Sequence, residues 1–519
     1  MNPNSPETWL IPEDLHIDDL FASLKEKFAL DVLPEYSAKI EYVDTFDWEL
    51  YREKYLLHNN AGSWSLYHEN TCSLTLEKGG PKLDSPCFSS DFPPGPLRDV
   101  LTPILGIRCL LPVATVLLAG QEIRLLNRDE KTVVRLIIER QQPEGQAYSY
   151  RLVRLVAVRG YDKELSAAQE ILEENGIVEV VSALIGFEEA CRCGGRYPLD
   201  YSSKFQIQLS PRSTAREAIG SIYLELLDNM RINIPGVMAD WDIEFLHDLR
   251  VAIRRTRSGL SLVKQVLPDA LVSRFKKEFA ALGSVTGPTR DLDVYLKDRQ
   301  KYLDRLPPAL QPGLELFFDQ LAKKRQAEQK KLVRHLRTKK ISILFDDWQR
   351  SIEQEELHPA PKAQMPVLSV ANPIIFKHYK RVLKTGLSVD RTSPDDDVHA
   401  LRIQCKKLRY SMEFFASLYP KKELQVVIKH LKKLQDILGI FNDLYVQQTM
   451  VLETLGALNQ ERPTKTNLSI SASLGGLLQS LYQEQEEVRY HFKEAFIQFT
   501  DEETTTLCHQ LFKKKQVSK

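Results

Sequence analysis

Cysteine is scarce. Seven in 519 residues, odd in number and irregular in spacing, exclude a secreted disulfide framework and point to a reducing cytoplasm. Cys191-x-Cys193 has the spacing of half a zinc site, but no second pair stands at a suitable distance. Long apolar runs are also missing: the longest, Leu110 to Gly120, is too short for a membrane span and contains Pro112. The opening residues, MNPNSPETWLIPEDL, show no basic stretch ahead of an apolar core, so no signal peptide is expected. A phosphate-cradling Gly-x-x-x-x-Gly-Lys loop is absent, as is a Gly-x-Ser-x-Gly nucleophile elbow. Net charge is lacking too, with Lys+Arg and Asp+Glu both at 70.

That zero is an average over unlike halves. Residues 1–210 hold 21 Lys+Arg against 32 Asp+Glu, and residues 211–519 hold 49 against 38. Residues 241–450 alone carry 38 against 25, the asymmetry expected where one region has an anionic partner.

Between residues 35 and 210, short alternating segments separated by Gly, Pro and Asn clusters predict strands. The clearest span Glu122 to Val158. Lys131, Val133, Arg135, Ile137 and Glu139 share one strand face opposite Val134, Leu136 and Ile138, and a third strand is expected from Tyr148. From Thr214 the period becomes helical. Breaks are expected near 286–289 and 439–440, one long helix over 310–350, and a Pro-rich link over 352–373.

The helical region repeats itself. His247-Asp-Leu-Arg250-Val-Ala-Ile-Arg254-Arg255-Thr-Arg257 reappears 152 residues later as His399-Ala-Leu-Arg402-Ile-Gln-Cys-Lys406-Lys407-Leu-Arg409. Gly287-Pro-Thr-Arg290-Asp291-Leu292 falls on Gly439-Ile-Phe-Asn442-Asp443-Leu444 at the same offset, and Lys277 on Lys429. Two blocks in one ungapped register predict a duplicated unit with pseudo-two-fold symmetry. At about 100° per residue, positions 0, +3, +7 and +10 of each block fall within roughly 80° of arc. His247, Arg250, Arg254 and Arg257 therefore form one stripe; His399, Arg402, Lys406 and Arg409 form another, with Leu249, Ile253 and Leu260 on the core side of the first.

Like charges three and four apart repel, and a helix built for stability alone would interleave acids. Guanidinium forks and ammonium point charges both suit phosphate, and a histidine beside bound phosphate would tighten the grip as pH falls. The competing expectation is that these cations pair with Asp291, Asp293 and Asp443 on neighbouring helices. A further basic stretch at 323–340 places Lys323, Lys330, Arg334 and Arg337 on a shared face, either solvated or extending the anion track.

The duplicated His-x-x-Arg-x-x-x-[Arg/Lys]-[Arg/Lys]-x-Arg block, with its Gly287…Arg290-Asp291 and Gly439…Asn442-Asp443 followers, resembles the CHAD family, the conserved-histidine α-helical domain. The resemblance covers about residues 213 to 512. It implies two related helical bundles whose basic surface binds inorganic polyphosphate, association with polyphosphate granules, and phosphate-binding roles for His247, Arg250, Arg254, Arg255, Arg257, His399, Arg402, Lys406, Lys407 and Arg409. Tyr42-Val-Asp44-Thr45-Phe-Asp47 is similar to a segment of the CYTH family, β-barrel phosphohydrolases of the triphosphate-tunnel type that often precede CHAD domains. That family's Glu-x-Glu-x-Lys metal motif is not found ahead of Tyr42, and Tyr55-Leu-Leu-His58 stands where Leu-Arg-x-Arg is usual. No catalytic residue or resident cofactor is assigned, a divalent metal being implied only if this region hydrolyses phosphate. Arg124, Lys131, Arg135 and Arg140 remain candidates for phosphate contact.

The expected fold is thus α+β: a CYTH-like antiparallel β-barrel domain over 1–210, then an all-α duplicated CHAD-like domain over 211–519 with halves about 211–351 and 373–519. Polyphosphate binding leads. A metal-dependent triphosphatase in the first domain and nucleic-acid binding are the alternatives, the second disfavoured because the stripes contain almost no aromatic platforms for bases.

Overall fold

A computed structural model describes residues 7–513 except 69–70, 148, 180–184, 355–359, 391 and 461. The chain separates into two compact units, residues 1–204 and 205–519.

The first unit is built on one curled antiparallel sheet. Its strands are β1 (Glu7–Ile11), β2 (Ala29–Val32), β3 (Tyr36–Asp44), β4 (Tyr55–Asn60), β5 (Ser63–His68), β6 (Thr71–Leu76), β7 (Leu111–Leu126), β8 (Thr132–Pro143), β9 (Tyr150–Ala157) and β10 (Val178–Glu179). They pair in the order β10-β1-β9-β8-β7-β3-β4-β5-β6, with β2 also on β7. The strand expected from Tyr148 starts at Tyr150, and Tyr148 lies outside the described residues. Among the described residues, five α-helices accompany the sheet: α1 (Ile17–Lys25), α2 (Glu49–Arg52), α3 (Pro96–Leu105), α4 (Asp162–Glu174) and α5 (Ile185–Cys193). Period-two alternation decides which face is apolar: Ile123, Leu125, Val134, Leu136, Val153 and Leu155 form a core with Leu20 and Leu24 of α1 and Ile171 and Leu172 of α4.

The Asp44-Thr45 segment is a structural turn. The buried Asp44 carboxylate accepts the backbone N–H groups of Thr45, Leu50 and Tyr51 at 2.6–2.9 Å, which caps α2. Burial pushes that carboxyl up to about 7, against the pull of those three N–H groups. Asp47 is likewise occupied, 3.0 Å from the buried Arg108 guanidinium.

The second unit is all helical: α6 (Ala215–Ala239), α7 (Ile243–Leu262), α8 (Asp269–Lys297), α9 (Arg299–Leu303), α10 (Gln311–Leu336), α11 (Lys339–Glu353), α12 (Val367–Leu387), α13 (Asp395–Phe414), α14 (Lys421–Leu458), α15 (Lys465–Phe499) and α16 (Glu502–Phe512). Shifting by 152 residues carries the first residue of α6 onto that of α12, both ends of α7 onto those of α13, and the first residue of α8 onto that of α14. The two copies also touch isologously. Thr214 bridges Pro366, its own counterpart, while Ala215 N donates to Met365 O (2.8 Å) and Val367 N to Ser213 O (3.1 Å). Swapping the copies converts one of these bonds into the other, so a pseudo-dyad passes between them.

Several expected helix breaks do not occur. α8 runs through Gly287-Pro288 and α14 through Gly439, because buried apolar positions continue on both sides of each and packing outweighs a local cost of about 1 kcal/mol for glycine and 3 for proline. Conversely, the single helix expected over 310–350 is two, divided at Arg337-Thr338. The link expected over 352–373 is shorter, since α12 already begins at Val367 and contains Pro373; its middle, 355–359, lies outside the described residues, as do 514–519. The far end of the link is tied down by backbone bonds, Arg216 N to Ala363 O at 2.9 Å and Lys362 N to Gln265 O at 2.8 Å, and the near end by the Arg216 guanidinium, which donates to Ile352 O at 2.8 Å.

Candidate anion-binding site

The two stripes meet at the pseudo-dyad. α7 starts cleanly because Asp242 accepts the N–H groups of Glu244 and Phe245, and its buried Leu249, Ile253 and Leu260 fix which side faces the core. The rest of each stripe follows from that anchoring, and the structure then sorts its ten residues into three groups.

The first group is held by neighbouring helices. His247 Nδ1 accepts from Arg290 at 2.9 Å, and His399 Nδ1 sits 2.8 Å from Asn442 Oδ1, the repeat-related pair. Arg250 donates to Gly283 O (3.1 Å) and Thr286 Oγ1 (2.9 Å), and Arg402 lies 3.7 Å from Asp443. Gly283 and Gly287 of α8 provide the seat: a Cβ on Gly283 would stand 3.1 Å from the Arg257 guanidinium, and one on Gly287 3.5 Å from that of Arg250.

Arg255 and Arg409 form the second group, and both use Glu413. Arg255 pairs with it at 3.0 Å while lying over the Phe205 ring; Arg409 pairs at 2.5 Å. These two are fixed by a carboxylate rather than offered to a ligand.

Arg254, Arg257, Lys406 and Lys407 remain. Arg254 and Arg257 are exposed, and no ion-pair partner of any of the four appears among the described residues. Lys406 is half-buried, with a proton affinity pushed down to about 8 by burial and then by the charges of Arg402 and Arg254. Arg254 and Lys406 are repeat mates, so cations of both copies face each other across the dyad.

Beside Arg254 and Arg257 opens a cavity of about 1050 Å³ between α7 and α12. Eight cations line it against one carboxylate, Asp269, and no Phe, Tyr or Trp takes part. Three of the eight are Arg254, Arg257 and Lys407; the stripe reading missed the other five, Lys264, Lys276, Lys362, Lys377 and Arg381. Buried His378 on the same wall is held uncharged, pushed down to about 4 by burial and then by Arg381, Lys407 and Lys377. A signal existed in the sequence: Lys377 and Arg381 are spaced i,i+4 on the helix that precedes the second stripe.

The basic stretch at 323–340 divides as well. Lys330, Arg334 and Arg337 line a second cavity of about 630 Å³ with Asp240 and Gln326, whereas Lys323 is exposed outside it. Arg325 is not available, being held by Asp293 at 2.8 Å and Asp240 at 2.7 Å. Glu244, His247 and Asp248 bring three potential metal ligands together. The Arg290 guanidinium already supplies positive charge there, 3.7 Å from Glu244 and bonded to His247.

On the sheet of the first unit, three arginines are matched. Arg124 meets Glu122 (3.3 Å) and Asp31 (3.7 Å), Arg135 meets Glu122 (3.9 Å), and Arg154 meets the buried Glu139 (2.9 Å) on the same sheet face. Lys131 and Arg140 are exposed, Arg140 one strand position out of step with that face.

Residues 221–452 match the CHAD domain family. Among curated proteins none matches the chain. Of solved structures, the CHAD domain from the plant Ricinus communis is 24% identical, covering 56% of this chain and 95% of its own, with a TM-score of 0.47. A putative adenylate cyclase from Bacillus halodurans is 18% identical over 34% of this chain and 91% of its own, TM-score 0.24. The putative adenylyl cyclase HpAC1 from Hippeastrum, for which a dominant triphosphatase activity is described, is 14% identical over 38% and 99%, TM-score 0.25. No helix among the described residues is long and apolar enough to cross a membrane.

Proposed function

We propose that the CHAD domain of this chain, residues 221–452, binds inorganic polyphosphate, and that this binding associates the protein with cytoplasmic polyphosphate granules. The observation that carries the reading is the cavity at the pseudo-dyad, where eight cations face one carboxylate. Uncompensated charge of that density costs stability unless a polyanion neutralises it. A phosphate chain does so by many weak contacts: each is worth about 1 kcal/mol or less where exposed, and they add through effective concentration once the first is made.

Arg254, Arg257, Lys406 and Lys407 are the contacts we assign first, with Arg250 and Arg402 beside them. Lys330, Arg334 and Arg337 would give a secondary contact at their own cavity. The main cavity holds no Phe, Tyr or Trp, and its one ring, His378, is buried, which favours a phosphate chain over nucleic acid, whose bases need stacking surfaces. Competition of long polyphosphate against tripolyphosphate, RNA and DNA over a series of salt concentrations tests this. Polyphosphate should hold longest and its affinity should fall steeply with salt; displacement by RNA at equal phosphate concentration rejects the assignment.

A further inference from the structure

The duplication makes it possible to ask whether the two copies offer two equivalent sites. The main cavity lies between α7 of the first copy and α12 of the second, so its mate lies between α13 and α6. Five of the eight cation positions lose their charge there. Lys377 and Arg381 become Glu225 and Asn229, Lys264 becomes Ala416, Lys276 becomes Ile428, and Lys362 becomes Ser210.

The mate also gains acid where the cavity has none. Ser261 corresponds to Glu413, which engages Arg255 and Arg409, the counterparts of Lys407 and Arg257. Ser369 corresponds to Glu217, whose carboxylate accepts the backbone N–H of Thr214 at 2.8 Å in a capping box. Asp269, the cavity's one acid, corresponds to Lys421, so the mate holds four cations, Lys406, Arg409, Arg255 and Lys421, against three carboxylates, Glu413, Glu217 and Glu225, with two of those cations already paired. Phe205 packs on this side, its ring 5.9 Å from that of Phe414 and under the Arg255 guanidinium, and Leu209 N donates to Ser417 Oγ at 2.9 Å.

We infer that phosphate is taken up on one face of the pseudo-dyad only, in the cavity between α7 and α12, with Lys377 and Arg381 as specificity-determining contacts, and that the repeat-related face between α13 and α6 is closed to anions by Glu413 and Glu225. This rests on the polyphosphate reading above. It differs from a symmetric grip in which both stripes contribute alike.

The test compares mirror-related substitutions in the full chain, titrated with linear polyphosphate over several salt concentrations. Lys377→Gln with Arg381→Gln should weaken binding about tenfold, and should flatten the slope of log affinity against log salt by about 2, one for each cation removed. Glu225→Gln, at the mirror position of Lys377, should leave both quantities unchanged, because Glu413 still holds Arg255 and Arg409 and the face still lacks the two cations. Glu225→Lys with Asn229→Arg should strengthen binding by supplying the two cations that this face lacks. All four positions are on exposed or half-buried helix surface, and circular dichroism checks that the helices persist. Wild-type affinity and slope in the Lys377/Arg381 variant, or equal losses from both mirror pairs, overturn the one-sided site while leaving polyphosphate binding standing. No binding by the wild-type chain rejects both.

Discussion

The two units of this chain use positive charge in opposite ways. On the sheet of the first, Arg124, Arg135 and Arg154 each reach a carboxylate within 3.9 Å. Across the second, Arg254 and Arg257 point into a cavity where cations outnumber acids eight to one. A paired arginine is part of the scaffold, because removing it strands a buried carboxylate; an unpaired one beside its like holds the surface in readiness for an anion. Counting basic residues does not separate these cases. Locating their partners does.

Substitution should break the contrast cleanly. Arg254→Glu with Arg257→Glu replaces two attractions by two repulsions, about 2 kcal/mol each, and is expected to lower polyphosphate affinity about a thousandfold with little change in thermal stability. Fluorescence anisotropy on labelled polyphosphate and a melting curve measure the two. Arg154→Gln should do the reverse. It leaves Glu139, which is only 7% exposed, without its ion pair, so denaturant unfolding of the first unit is expected to lose about 3 kcal/mol while polyphosphate affinity stays put. A binding defect in Arg154→Gln would show that the first unit also handles phosphate, and the comparison would fail.

A third variant sharpens the boundary between the two classes. Glu413 neutralises one arginine from each repeat, so Glu413→Gln should free both for a ligand. Affinity is expected to rise about threefold, and stability to fall by about 1 kcal/mol as the half-buried Arg255 loses its partner. Unchanged affinity would mean that Arg255 and Arg409 cannot reach the phosphate chain even when released.

Periodicity and the repeat make much of this legible in the residues alone. The 152-residue offset predicts where α6, α7 and α8 recur, since a duplicated sequence with the same apolar spacing must bury the same faces. Helical geometry places Arg250, Arg254 and Arg257 together for the same reason. What the pattern could not show is compensation between elements distant in sequence. Arg255 and Glu413 are 158 residues apart, and only the packing of α7 against α13 joins them. Lys377 and Arg381 were not singled out in the sequence because their significance depends on α7 standing opposite. Helix ends were hidden where tertiary packing carried α8 through Gly287-Pro288 against local propensity.

A pH dependence is the most diagnostic of binding across the dyad. Lys406 holds its proton only up to about pH 8, against an ordinary lysine value of 10.5, because it is half-buried beside Arg402 and Arg254. Between those two values the unfolded chain binds a proton that the folded, ligand-free chain has released, so the stability of the free protein should rise with pH across that window. Binding should move the other way. Phosphate favours the charged ammonium, and without that attraction of about 1 kcal/mol the affinity falls about fivefold as pH climbs from 7 to 9. Lys406→Arg keeps its charge throughout and should flatten the binding profile; Lys406→Met should flatten it at the lower level. The same slope in all three proteins, measured by calorimetry at fixed ionic strength, would place Lys406 away from the phosphate chain and leave Arg254 alone to hold it at the dyad.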